Sequence, residues 1–132
     1  MAKTVFFISP VAAVMDNQNP ELEMKLFRYV LSLEKRGYVV YWPLRDTNQV
    51  DITGGLTICR RNFKSIIDAD EIHIWYDETS GGSKFDMGGV FMLCEILGVK
   101  KRIVIANEKE VQDDCPKSFF KIFQALAQKA AR

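Results

Sequence analysis

Thr4-Val-Phe-Phe-Ile8 is an apolar run of strand length in which odd and even positions alike are hydrophobic. That is the pattern of a parallel strand covered by helices on both faces. The segment after it carries helical punctuation: Asn19 can cap, Pro20 suits the first helical position, and Glu21 and Glu23 complement the positive end. Leu22, Leu26, Val30 and Leu33 recur at helical spacing before Gly37, predicting a helix to about Arg36. Tyr38-Val-Val-Tyr-Trp42 reads as a second strand ended by Pro43, and residues 45–51 show no periodicity and read as a long loop. A second long helix carries Leu56, Cys59, Phe63 and Ile67 on one face and leads into a third strand, Glu71-Ile-His-Ile-Trp75. After a loop over 76–82, a helix from near Ser83 turns Met87, Val90, Phe91 and Cys94 inward and stops at Gly98. Residues 102–106 form the fourth strand, and Pro116 opens a last helix with Phe119, Ile122, Phe123 and Leu126 inward.

Strands alternating with helices imply a parallel sheet with right-handed crossovers. The expectation is an α/β, flavodoxin-like three-layer sandwich of four to five strands in the order 2-1-3-4, although no fifth strand can be found after Glu108. The length of 132 residues fits one domain over 1–132. With 18 basic against 17 acidic residues the net charge is +1, no footprint for polymeric nucleic acid. Cys59, Cys94 and Cys115 are odd in number and scattered, which points to a reducing, cytoplasmic setting without a disulfide framework. One histidine and no CxxC knuckle leave no zinc set, and neither a Walker loop nor a GxGxxG is present, so no metal or organic cofactor is expected. The run 5–15 imitates a signal-peptide core, but Pro10 interrupts it and its first part reads as strand. No apolar run approaches the roughly 18 to 20 residues that span a bilayer, and a soluble protein with no membrane partner is expected.

In such sheets ligands bind beyond the carboxyl ends of the strands at the switch point, here between strands one and three. Two segments are thereby singled out, Ser9-Pro10 onward and residues 76–86. Gly81 and Gly82 allow close backbone approach, and the amides opening the next helix suit a phosphate or a sugar. Asp86, beside Met87 and four residues before Val90, would face the crevice; alternatively Ser83-x-x-Asp86 is a capping box. Asp77 leaves the third strand either as a functional acid or as a turn former. Two acids on one crevice is the arrangement of glycosidic bond cleavage. Arg45 and Asp46, with Gln49 and Asp51, either reach a base or phosphate or belong to a solvated loop. Tyr76 is the aromatic best placed to stack on a base, while Trp42 and Trp75 are further candidates, Trp75 reading as core. His73, inside an apolar strand, reads as a satisfied buried histidine, and Asn62 is an additional candidate.

The run Gly82-Ser-Lys-Phe-Asp-Met-Gly88 resembles the GTxxELG-type signature of nucleoside 2-deoxyribosyltransferases and the related 2-deoxynucleoside monophosphate N-hydrolases. It is preceded, as there, by an "I..AD.v....D" segment, here Ile67-Asp-Ala-Asp-Glu-Ile-His-Ile-Trp-Tyr-Asp77, and Phe6-Phe-Ile-Ser-Pro10 looks like the family's first strand and its proline. The similarity extends from Lys3 to about Ala106. It implies a flavodoxin-like fold, a 2-deoxynucleoside or its monophosphate as substrate, and transfer or hydrolysis with retention through a carboxylate nucleophile. By that resemblance Asp86 stands where the family has its nucleophilic glutamate, Asp77 matches the acid that binds the base and delivers a proton, and Ser83 replaces the threonine beside the sugar or phosphate. Ser9, Gly82 and Ser83 would then hold oxygens, and Tyr76 would cover the base. Related enzymes form dimers or larger rings, so a homo-oligomer is expected too. The chain departs from the pattern twice, with Asp86 a methylene shorter than glutamate and Gly81 where an aspartate is usual. Retreat of a nucleophile by about 1 Å can cost on the order of a hundredfold, so a catalytically silent nucleotide-binding or sensor module is the alternative. A TIR-like reading ranks last, since Glu95 lies far from the loops.

Overall fold

The computed structural model describes residues 2–47 and 49–130, and Asn48 of the polar stretch 45–51 lies outside the described residues. Four strands, β1 (Thr4–Ile8), β2 (Val39–Tyr41), β3 (Glu71–Ile74) and β4 (Arg102–Ile105), form one all-parallel sheet in the order β2-β1-β3-β4. The register pairs Phe6 with both Tyr41 and Ile72, and Ile72 with Ile103. This is the expected flavodoxin-like α/β order, with four strands among the described residues.

The all-apolar β1 is explained by two separate cores. Val5 and Phe7 pack with Val40 and with Leu26, Val30 and Leu33 of α1 (Pro20–Lys35). Phe6 and Ile8 face the opposite way, with Ile72, Ile74, Ile103 and Ile105, against Ile66, Met87, Val90 and Phe120. Helices therefore cover both faces, α1 on one and α3 (Leu56–Asp68), α4 (Gly81–Phe91) and α5 (Phe119–Ala130) on the other. The α1 start is capped as expected, Asn19 Oδ1 accepting from the Leu22 amide at 3.1 Å.

Four local expectations fail for identifiable reasons. The stretch after β2 opens with a single turn, α2 (Pro43–Asp46), because Asp46 Oδ2 accepts from the Trp42 amide at 2.9 Å and closes it. The buried positions of α3 are Asn62 and Ile66, while Leu56 and Ile67 are exposed, so that helix is rotated relative to the Leu56/Ile67 stripe. At α4 the cap is Ser80 rather than Ser83, its hydroxyl accepting from the Ser83 amide at 3.2 Å and donating to Ser83 Oγ at 2.8 Å. Pro116 precedes the last helix by three residues; Ser118 caps it, accepting from the Lys121 amide at 3.1 Å, and Phe119 lies half outside at 50% exposure.

His73 is a satisfied buried histidine. Its Nδ1 is 2.5 Å from the Tyr29 hydroxyl and its Nε2 2.9 Å from Glu71 Oε1. Desolvation holds the imidazole below its ordinary pKa, hence neutral, so Tyr29 donates to Nδ1 and Nε2–H donates to the carboxylate. No helix among the described residues is long and apolar enough to cross a membrane.

Candidate functional site

Beyond the carboxyl end of β1 lies a cleft of about 510 Å³ with three walls. Ser9 and residues 11–13 form the first, Ile58, Cys59 and Asn62 of α3 the second, and residues 79–83 with Phe85 and Asp86 the third. It sits at the switch point, where the chain leaves β1 toward β2 on one side while β3 pairs on the other.

The third wall is built on the Ser80 cap. By satisfying the Ser83 amide, Ser80 starts α4 at Gly81 and brings the open first-turn amides of Gly81 and Gly82 to the cleft. Asp86 comes a turn later on the same wall, well inside the helix, so it is not the acidic partner of a capping box. No side chain among the described residues bonds or pairs with its carboxylate, and burial alone pushes its pKa from 3.8 up to about 7. Asp86 is also the one charged side chain among the described residues that line the cleft.

Asn62, on the α3 wall, lines the same cleft. It is 6% exposed, and its Oδ1 is buried without a hydrogen-bond partner. An unmet buried amide oxygen is costly, and this one is left without a partner on a residue of the cleft wall. Ser9 is held by Trp42, whose Nε1 donates to Ser9 Oγ at 2.9 Å. Gln49 reaches the cleft too, with its amide donating to Pro43 O at 2.9 Å and Thr47 O at 3.2 Å.

Of the residues singled out in the sequence, Asp86, Ser9, Gly81, Gly82, Ser83, Gln49 and Asn62 therefore share one cleft. The others do not line it. Asp77 forms its own turn, accepting from the Thr79 amide at 2.8 Å and Thr79 Oγ1 at 2.7 Å. Tyr76 follows Ile72 and Ile74 in period two onto the α5 face, packs its ring at a tilt against Phe120 with centroids 5.4 Å apart and donates to Glu78 at 2.5 Å. It lines a separate hollow with Val111 and Ser118, so it cannot cover a base bound beside Asp86. Pro10 is buried behind Ser9. Arg45 is bound by Asp46 at 2.8 Å, Glu34 at 3.1 Å and Val40 O at 3.0 Å, and opens onto another hollow beside Phe27. Asp46 closes the α2 turn, and Asp51 accepts from the Ile58 amide at 3.0 Å, fixing the approach to α3. Trp42 is 3% exposed and Trp75 packs edge-on to Tyr29 at 6.4 Å, so both belong to the core.

Asn62 carries more weight here than its place in the sequence suggests. The available signal is an amide on the apolar side of an amphipathic helix, one turn after Cys59 and four residues before Ile66. Cysteine, histidine and carboxylate groups do not cluster into a metal site among the described residues. Comparison with protein-family models, curated proteins and solved structures finds no match to this chain.

Proposed function

We propose that this chain cleaves or transfers at the N-glycosidic bond of a 2-deoxynucleoside or its monophosphate, with Asp86 as the nucleophile. The observation that carries the reading is a partly desolvated carboxylate, solitary and unpaired among the described residues, set among hydrogen-bonding groups at the switch point. A carboxylate freed of strong partners keeps its lone pairs for attack. Ionised Asp86 attacks C1′, the C–N pair leaves with the base, and the base takes up a proton from water. A second nucleophile, water or another base, then displaces Asp86 from C1′ and restores the carboxylate. Asn62 Oδ1 accepts from a donor on the ligand, and Ser9 and the Gly81 and Gly82 amides hold sugar or phosphate oxygens.

Asp77 has no part in this scheme, since it does not line the cleft. The presence of a single carboxylate among the described residues that line the cleft favours one further reading, a nucleotide-binding module that holds its ligand without turnover. The two separate in one experiment. The protein is incubated with deoxynucleosides, their monophosphates, ribonucleotides and NAD, beside an Asp86→Ala control, and free base is resolved by chromatography. Base released from a deoxy substrate and lost in the control supports glycosidic chemistry. Thermal stabilisation by a nucleotide without any release supports the binding module instead. Assembly with further copies belongs to the same reading: α3 and α4 and the turn after them expose Leu56, Ile67, Phe85, Met92 and Ile96. Three free cysteines suit a reducing, cytoplasmic setting.

A further inference from the structure

Cys59 is a cleft thiol with no role in the glycosidic scheme. It stands in the first turn and a half of α3, its amide donating to Gly55 O at 2.9 Å, and it precedes Asn62 by three residues. Residues at that spacing share a helix face, and both line the cleft. Its burial is intermediate, so the sulfur is neither sealed in the core nor displayed on the surface. The buried, unpartnered Asn62 Oδ1 on the same wall marks that face as the one a ligand meets. Any group added to Cys59 Sγ therefore occupies ligand space.

The other two cysteines are placed differently. Cys115 is exposed, near the start of α5, and lines the hollow beside Tyr76. Cys94 lies in a hollow at the amino end of the sheet with Lys101 and Leu126, and burial raises its thiol above the ordinary range. Chemistry at either leaves the cleft open, so the three thiols can be told apart by what their modification does.

We propose that Cys59 is a modification site that closes the cleft, by forming a mixed disulfide with a small disulfide. This rests on the cleft being the ligand site of the proposed function. The Cys59 thiol loses its proton to solvent, and the thiolate attacks one sulfur of the small disulfide. That S–S bond breaks, a new one forms to Cys59, and the departing thiolate takes up a proton. Cys59 is oxidised, half of the small disulfide is reduced to a free thiol, and added thiol reverses the exchange. A small adduct at this position projects from the cleft wall that Cys59 shares with Asn62, so adduct and ligand compete for the same face. An oxidising shift would silence the protein and a reducing one restore it.

The test uses hydroxyethyl disulfide on the folded protein and on Cys59→Ser, each compared with its own untreated form. The adduct is located by peptide mass mapping, and deoxynucleoside binding is followed by calorimetry. The proposal predicts an adduct at Cys59 in the native state, at least a tenfold loss of affinity, recovery with dithiothreitol, and no change on treating Cys59→Ser. Conversely, bound deoxynucleoside should slow labelling of Cys59 and leave Cys115 unaffected. Cys59 that reacts only after unfolding overturns the proposal, as does an adduct that leaves binding unchanged. If untreated protein binds no deoxynucleoside or nucleotide at all, the ligand reading itself falls and the gate with it. That outcome is recognisable because it appears before any disulfide is added.

Discussion

Asp86 is held in a place that its own charge makes unfavourable. An unfolded aspartate ionises near 3.8, whereas burial keeps the folded carboxyl protonated up to about 7. Between those values the folded state binds more protons than the unfolded one, so this group lowers stability as pH rises and its full cost is present above 7. A rise of that size corresponds to at most about 4 kcal/mol, and partial exposure reduces that. Asp86→Asn should therefore stabilise the protein by roughly 2–4 kcal/mol at pH 8 and by little at pH 3.5. Urea unfolding of both proteins at both pH values checks this; equal differences at the two would remove desolvation as the cause. The same shift predicts that glycosidic turnover, which needs the ionised form, rises with pH through about 7. Asp77 and Arg45 are the contrasting cases. Their types and positions at strand ends make them candidates, but which way a strand-end side chain turns is set by partners that are close only in space or form local turns. Thr79 and Glu34 are those partners here. Tyr76 is placeable from the sequence, because extending the alternation of Ile72 and Ile74 by one step already puts it on the α5 face.

Helices α3 and α4 meet at Gly89. A Cβ there would lie 2.0 Å from Phe63 Cε1, far inside contact distance, so the absence of a side chain lets the two helices approach and lets the Phe63 and Phe85 rings stack edge-on at 5.4 Å. Gly89→Ala gains helix propensity of about 1 kcal/mol but must displace the Phe63 ring. Overpacking of this kind costs about 1–3 kcal/mol, and a net loss of stability is expected. A melting temperature that rises in this variant would mean the ring moves aside without loss. Because the same contact sets the spacing of two cleft walls, weaker ligand binding should accompany the loss. At this scale the sequence is legible wherever punctuation is strong. The continuous apolar β1 and the Asn19-Pro20 start of α1 both stand where their residues predict. Less is readable where one turn suffices to change the outcome. Four residues of α2 have no period to detect, and the α3 stripe holds apolar residues on both sides of the true inward direction, so Ile66 and Ile67 cannot be ranked without the sheet beneath them.

The strand order itself is readable, since alternating units with buried strands leave few parallel topologies. The surface that the fold leaves over is not. Met92 is 52% exposed and Ile96 61%, and with Phe85 at 59% they recur at helical spacing along one side of α4 and the turn that continues it. Apolar stripes of this kind on a two-fold axis are self-complementary. Light scattering should therefore give a mass that is a multiple of 15.1 kDa, and Met92→Lys should return it toward a single chain. A wild-type mass of one chain would show that the stripe is left to water.

The central position of β1 has a further consequence, one that concerns synthesis. Its two neighbours are β2, which ends at Tyr41, and β3, which begins only at Glu71. While the chain emerges from the ribosome, β1, α1 and β2 can associate early, but the other edge of β1 stays unpaired until β3 arrives, a wait of a few seconds at about 5–20 residues per second. During that interval Val5, Phe6, Phe7 and Ile8 present an open, uncharged strand edge, the kind of surface on which nascent chains pair with one another. The helix-on-both-faces pattern that makes the finished sheet dry thus makes its first strand the one most in need of protection while the protein is being made.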